Sequence, residues 1–144
     1  MSETAPAAEQ VKILLYSHDR TVRSAVRAAL GRKLAGDLPE IELVECATHK
    51  AAIDVVDGRD VDLCIFDGEA VPAGGLGLCR QIKDEIPNCP PVLVLVGRMQ
   101  DAWLATWSRA EAVLPHPIDP VRLPGKAAEL LRARLSPGAV QPVN

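Results

Sequence analysis

Hydrophobic residues in this chain come in short runs, and their period changes from one run to the next. Val11–Tyr16 (V-K-I-L-L-Y) shows little alternation, which suits a strand covered on both faces of a parallel sheet. The runs Val61 to Asp67 (V-D-L-C-I-F-D) and Val92 to Val96 (V-L-V-L-V) read the same way. Ile41 to Cys46 (I-E-L-V-E-C) alternates partway and predicts a strand nearer the sheet edge, and Ala112 to Leu114 is a short last strand. Between these runs the period lengthens to that of a helix. Val22, Val26, Ala29, Leu30 and Leu34 recur at helical spacing from Arg20 onward, with Asp19 as N-cap and Arg23, Arg27 and Lys33 on other faces. Thr48 to Val56, Leu76 to Ile86, Gln100 to Arg109 and Val121 to Leu135 predict further helices. Leu76, Cys79, Ile82 and Ile86 form the buried stripe of the third, while Pro124 and Gly125 fall in the first turn of the last. Five strands alternating with five helices imply an α/β fold, a doubly wound parallel sheet with helices on both faces. The expected organisation is a flexible tail over residues 1–10, one domain over 11–135 and a second tail over 136–144.

Composition narrows the picture. Of the 144 residues, 48% are hydrophobic and only 3% aromatic, so the core is expected to be built from Val, Leu, Ile and Ala. A net charge of -3 with no basic block argues against non-specific nucleic-acid binding. The four cysteines (Cys46, Cys64, Cys79, Cys89) have neither CxxC nor Cys/His metal spacing. Cys89, in a turn, is the one weighed as a redox thiol, and that reading is set aside. No secretory leader or membrane span is legible, so a soluble, cytoplasmic protein is expected.

Candidate chemistry gathers at Asp67. It closes an apolar run just before a loop rich in Gly and Pro, at the carboxyl edge of the expected sheet, where open α/β folds bind ligands. A carboxylate there is expected to be held rigidly from behind and to reach solvent; the plainer alternative is a strand cap. His18 and His116 could join Asp67 in a two-His, one-carboxylate metal site, but separate solvated loop residues are the favoured reading.

The register of several motifs resembles one family. Asp67 at the end of the third strand, Gly75 eight residues on, Pro91-Val92-Leu93-Val94-Leu95 and the turn Leu114-Pro115-His116-Pro117-Ile118-Asp119-Pro120 together resemble the receiver domain of two-component response regulators. The resemblance covers Val11 to Leu135 and implies a flavodoxin- and CheY-like sheet of order 2-1-3-4-5. It also implies that Asp67 is the equivalent of the phosphoacceptor, served by a histidine kinase. The departures are as specific as the matches. Ser17 and His18 stand where the family holds Mg²⁺ with two carboxylates, and two neutral side chains remove most of the attraction for a hard cation. Glu69 is the nearby carboxylate that offers partial compensation, a reading not favoured. Val96 replaces the switching Thr or Ser, His116 replaces the Lys, so that an imidazole stands for a fixed ammonium, and Val113 replaces the aromatic switch residue. Phosphoryl transfer depends on positioning and charge neutralisation. The expectation is therefore a degenerate receiver, not an enzyme, needing no cofactor; Mg²⁺ at Asp67 belongs to the alternative of an active receiver. A small hydrolase using Asp67 as nucleophile is weaker still, for want of a second carboxylate.

Trp103 and Trp107, spaced i, i+4 with Leu104 and Met99 nearby, lie on the counterpart of a family docking surface. They and Val113 are the expected interface for a protein partner, with Arg98 and Arg109 as a polar rim. Some stand-alone receiver-like proteins of high-GC bacteria that look like this one are associated with the membrane-bound respiratory NADH:quinone oxidoreductase. The resemblance suggests that complex as a partner, with the protein peripheral to the membrane.

Overall fold

The computed structural model describes residues 10–69, 74–98 and 103–136. Its elements run β1 (Val11–Tyr16), α1 (Arg20–Leu30), β2 (Ile41–Cys46), α2 (His49–Asp57), β3 (Leu63–Asp67), α3 (Gly75–Glu85), β4 (Val92–Val96), α4 (Trp103–Ser108), β5 (Ala112–Pro115) and α5 (Arg122–Leu135). The strands form one parallel sheet of order β2-β1-β3-β4-β5. The expected tails over 1–10 and 136–144 lie almost wholly outside the described residues.

Local chemistry fixes the helix ends. Asp19 caps α1 by accepting the Thr21 N–H at 2.8 Å, and Gly31, at φ 66°, ends it. Thr48, expected as the first residue of its helix, is instead the cap of α2, its hydroxyl accepting the Ala51 N–H at 3.1 Å. Asp119 accepts the N–H groups of Val121 and Arg122 at the start of α5. The expectation of five full helices is corrected: among the described residues four helices run 9 to 14 residues, and α4 has only 6. Two Trp and a Thr are modest helix formers, and Arg109, in the left-handed conformation at φ 67°, stops α4 at once. Met99 to Ala102 lie outside the described residues.

Alternation along the strands sorts the core into two layers. Ile13, Leu15, Leu63, Ile65, Leu93, Leu95 and Leu114 pack against Val26 and Leu30 of α1 and Leu123, Ala127 and Leu131 of α5. Leu14, Tyr16, Cys64, Phe66 and Val92 pack against Ala52 and Val56 of α2 and Leu78, Cys79 and Ile82 of α3. The three central strands are thus covered on both sides, which is why their sequences hardly alternate. Leu76 and Ile86, expected in the buried stripe of α3, are only half-buried, and Leu78 takes their place. The period of 2 also carries the next residues of β1 and β3 on the first face, Ser17 and Asp67, to the carboxyl edge above α1 and α5.

Candidate functional site

Three strand ends converge at that edge. Tyr16 of β1 lies opposite Phe66 of β3, so Ser17 and Asp67 are neighbours one step further on. The Ser17 hydroxyl donates to Asp67 Oδ2 at 2.7 Å, and the His116 Nε2, just past β5, lies 3.1 Å from Asp67 Oδ1. In the tautomer with the proton on Nε2, the ring donates to that oxygen. The Glu69 N–H also donates to Oδ1, at 2.9 Å. Both carboxylate oxygens of Asp67 therefore accept hydrogen bonds from the protein itself.

Burial corrects one expectation. Asp67 does not reach solvent: it is 2% exposed, and Ser17 beside it is 0% exposed. A charge held this deep needs its full set of donors, and Ser17, His116 and Glu69 supply them. The Asp67 charge is felt across the sheet, where burial first, and then Asp67, push the Tyr16 phenol up. Close packing extends to the backbone. A Cβ at Gly75 would stand 2.7 Å from the Asp67 carbonyl oxygen and 2.8 Å from the Phe66 Cβ, so a side chain there would drive α3 off the end of β3.

Ser17 is fixed on every side. Its hydroxyl accepts the Asp19 N–H at 3.1 Å, and its carbonyl accepts Arg23 Nη1 at 2.6 Å. Arg23, which sequence placed off the apolar face of α1, is tucked over the site, and it also pairs with Glu45 at 3.3 Å. No motif marks it. The only signal is a long cation one turn into a helix that starts at the site, close enough to reach back.

The other expected residues divide. Asp19 caps α1, and the Glu69 carboxylate accepts the Gly97 N–H at 3.2 Å, so neither carboxylate is directed to Asp67. His18 is exposed, and no group of three His, Cys, Asp or Glu side chains suited to a metal forms among the described residues. Val96 is 1% exposed in the layer under α2 and α3, and Val113 packs half-buried against that layer. Beside His116 a cavity of about 460 Å³ opens between the β5–α5 connection and α5, floored by Leu95, Leu114 and Leu123. Burial pushes the Cys89 thiol up, the opposite of what a redox thiol needs.

The two Trp residues are exposed, Trp103 at 67% and Trp107 at 48%. Arg80 of α3 holds Trp107 in place. Its guanidinium carbon lies 4.8 Å from the ring centroid, and Nη1 donates to the Trp107 carbonyl at 2.7 Å. Arg109, expected as rim, is paired with Asp84.

Against known proteins, no family model matches the chain. Response regulatory proteins, themselves uncharacterised, from Mycobacterium tuberculosis strains CDC 1551 and H37Rv are each 50% identical over 123 residues. The match covers 85% of this chain and 92% of theirs. Among solved structures, a response regulator receiver domain protein from Methanospirillum hungatei superposes with TM-score 0.71 at 19% identity, over 90% of this chain and 99% of that one. A signal receiver domain of an HD domain-containing protein from Pseudomonas fluorescens superposes with TM-score 0.74 at 18% identity, over 98% of each chain.

Proposed function

Because the chain belongs to the response regulator receiver family, we propose that it is a phosphorylation-impaired receiver acting as a protein-binding or accessory subunit. One observation carries this reading: Asp67 is 2% exposed, and both its oxygens accept hydrogen bonds from Ser17, His116 and Glu69. The donor set does not suit Mg²⁺, which dehydrates reluctantly and favours carboxylate and phosphate oxygens. Ser17 offers a neutral hydroxyl already committed to Asp67, Asp19 is spent on its helix cap, and Glu69 is turned to Gly97. Asp67 is then a structural anion that joins β1, β3 and the β5–α5 connection.

A constitutive binding module needs an interface built into its resting structure. Exposed Trp103 and Trp107, the second braced by Arg80, supply aromatic anchors of the kind that dominate interface energetics. The proposed partner is a protein, and by resemblance the membrane-bound respiratory NADH:quinone oxidoreductase. The described residues contain no helix long and apolar enough to cross a membrane, so membrane association in this proposal runs through that partner.

The alternative is a working receiver phosphorylated on Asp67 by a histidine kinase. It is favoured by the presence of the carboxylate at the end of β3 with a nitrogen base, His116, upon it. Intact mass and Trp fluorescence after incubation with Mg²⁺ and a small phosphodonor, or with beryllofluoride, separate the two. No change is expected. A stoichiometric mass gain that disappears in Asp67→Asn would establish the alternative. Capture of partners from native lysate by the wild type and Asp67→Asn, identified by mass spectrometry, tests the other half: Asp67→Asn is expected to retain them. Loss of the partner with the melting temperature unchanged would mean that Asp67 takes part in signalling.

A further inference from the structure

The β3 strand ends at Asp67, but its ladder with β4 does not. Asp67 lies opposite Leu95, and one step on the Gly68 N–H donates to the Leu95 carbonyl at 2.7 Å. In a regular parallel ladder the next donor is the N–H two residues along the neighbouring strand, which is that of Gly97. Were β3 to continue, the Gly68 carbonyl would accept it. A side chain does so instead, Glu69 Oε2 at 3.2 Å. The Glu69 backbone N–H meanwhile donates to Asp67 Oδ1 at 2.9 Å. One residue is therefore fastened at both ends, to Asp67 by its amide and to the end of β4 by its carboxylate. Gly97 accommodates this because it has no side chain: a Cβ there would stand 3.1 Å from Glu69 Cδ and Oε1. An ionised acceptor also makes this rung stronger than a carbonyl would.

We propose that Glu69 is a built-in anion that closes the Asp67 edge. Its carboxylate supplies the last rung between β3 and β4, next to Asp67, and fixes the start of the connection into the Trp-bearing α4 without any ligand. Gly97 lies two residues past Leu95, on the face that Asp67 shares, so an anionic group added to Asp67 would compete with Glu69 for the same N–H. The inference rests on the reading of a resting-state binding module and names the contact that holds the resting state.

The test is amide exchange on the isotope-labelled full chain, comparing wild type, Glu69→Ala and Glu69→Gln, with Trp emission recorded alongside. In Glu69→Ala the Gly97 amide should exchange roughly five- to tenfold faster, the worth of one net hydrogen bond. Gly68, whose acceptor is backbone, should keep its rate. Glu69→Gln retains a carbonyl acceptor but not the charge, so its Gly97 rate should fall between those of the wild type and Glu69→Ala. Trp emission should shift in Glu69→Ala only. Unchanged Gly97 exchange in Glu69→Ala, equal acceleration of Gly68 and Gly97, or unchanged emission would each overturn the proposal. A phosphodonor-dependent mass gain in the wild type would instead overturn the reading of Asp67 while leaving these exchange rates as they are.

Discussion

A hydroxyl at position 17 does two things that a carboxylate could not do together: it donates to Asp67 Oδ2 and accepts the Asp19 N–H. The first bond is buried and the second part-buried, so Ser17→Ala strands a charged acceptor and should cost about 1–3 kcal/mol in denaturant unfolding. Ser17→Asp tests the missing donor set directly. Two carboxylates would then face each other in a dry site, and the melting temperature should fall in chelator and recover in millimolar Mg²⁺. The wild type should melt at the same temperature with or without Mg²⁺, and saturable stabilisation of the wild type would contradict the proposed loss of the cation site. The place of Asp67 was legible, because an apolar run ending in a carboxylate marks a strand end at the sheet's carboxyl edge. Its burial was not, because the groups that cover it come from positions 17 and 116, some 50 residues away on either side. Arg23 escaped for a related reason: its target is a backbone carbonyl, which leaves no trace in residue type.

Among the elements, α4 is the one whose character changed most. Alternating strand and helix periods were plain in the sequence, since the central strands are covered on both faces. A helix of six residues has too few positions to show a period, and its end depends on the left-handed backbone of Arg109. Such a short element offers Trp103 and Trp107 outward at little cost to the core. Trp103→Ala or Trp107→Ala should therefore weaken binding to the captured partner by roughly 2 kcal/mol or more for at least one of the pair. Trp103→Ala should leave the melting curve unchanged, whereas Trp107→Ala also loses its Arg80 contact, about 0.5–1 kcal/mol of stability. Lys50→Ala, at an exposed ion pair on α2, is the proper control. Arg23→Ala is not, because it disturbs Ser17. Normal binding by both Trp variants in a titration would place the interface elsewhere.

At the scale of the whole molecule, α5 is tied to the α1–β2 connection by a bidentate pair, Arg132 Nε and Nη2 on the two oxygens of Asp37 at 2.9 and 2.8 Å. The Arg132 hydrogen bond holds the Asp37 carboxyl down at about 2. A carboxyl depressed in the folded state contributes stability that is present above its unfolded value, near 4, and is lost as pH falls toward 2. The stability difference between wild type and Asp37→Asn should accordingly shrink across that window in urea unfolding. It should also shrink with added salt, because the pair is exposed; a difference that stays constant from pH 5 to about 2 would show that the pair contributes nothing. The sheet's outer strand, β2, has a further consequence. Among the described residues no strand covers its far side, and Ile41, Leu43 and Val44 are only half-buried. Bare strand edges of this kind invite a second chain to add on and begin an aggregate. Glu42 and Glu45 interrupt the row, and Arg23 and Arg27 grip Glu45 from α1. Charge is thus fixed along one of the two margins of the sheet where copies could otherwise stack, and the clamp that steadies Ser17 also guards that edge against aggregation.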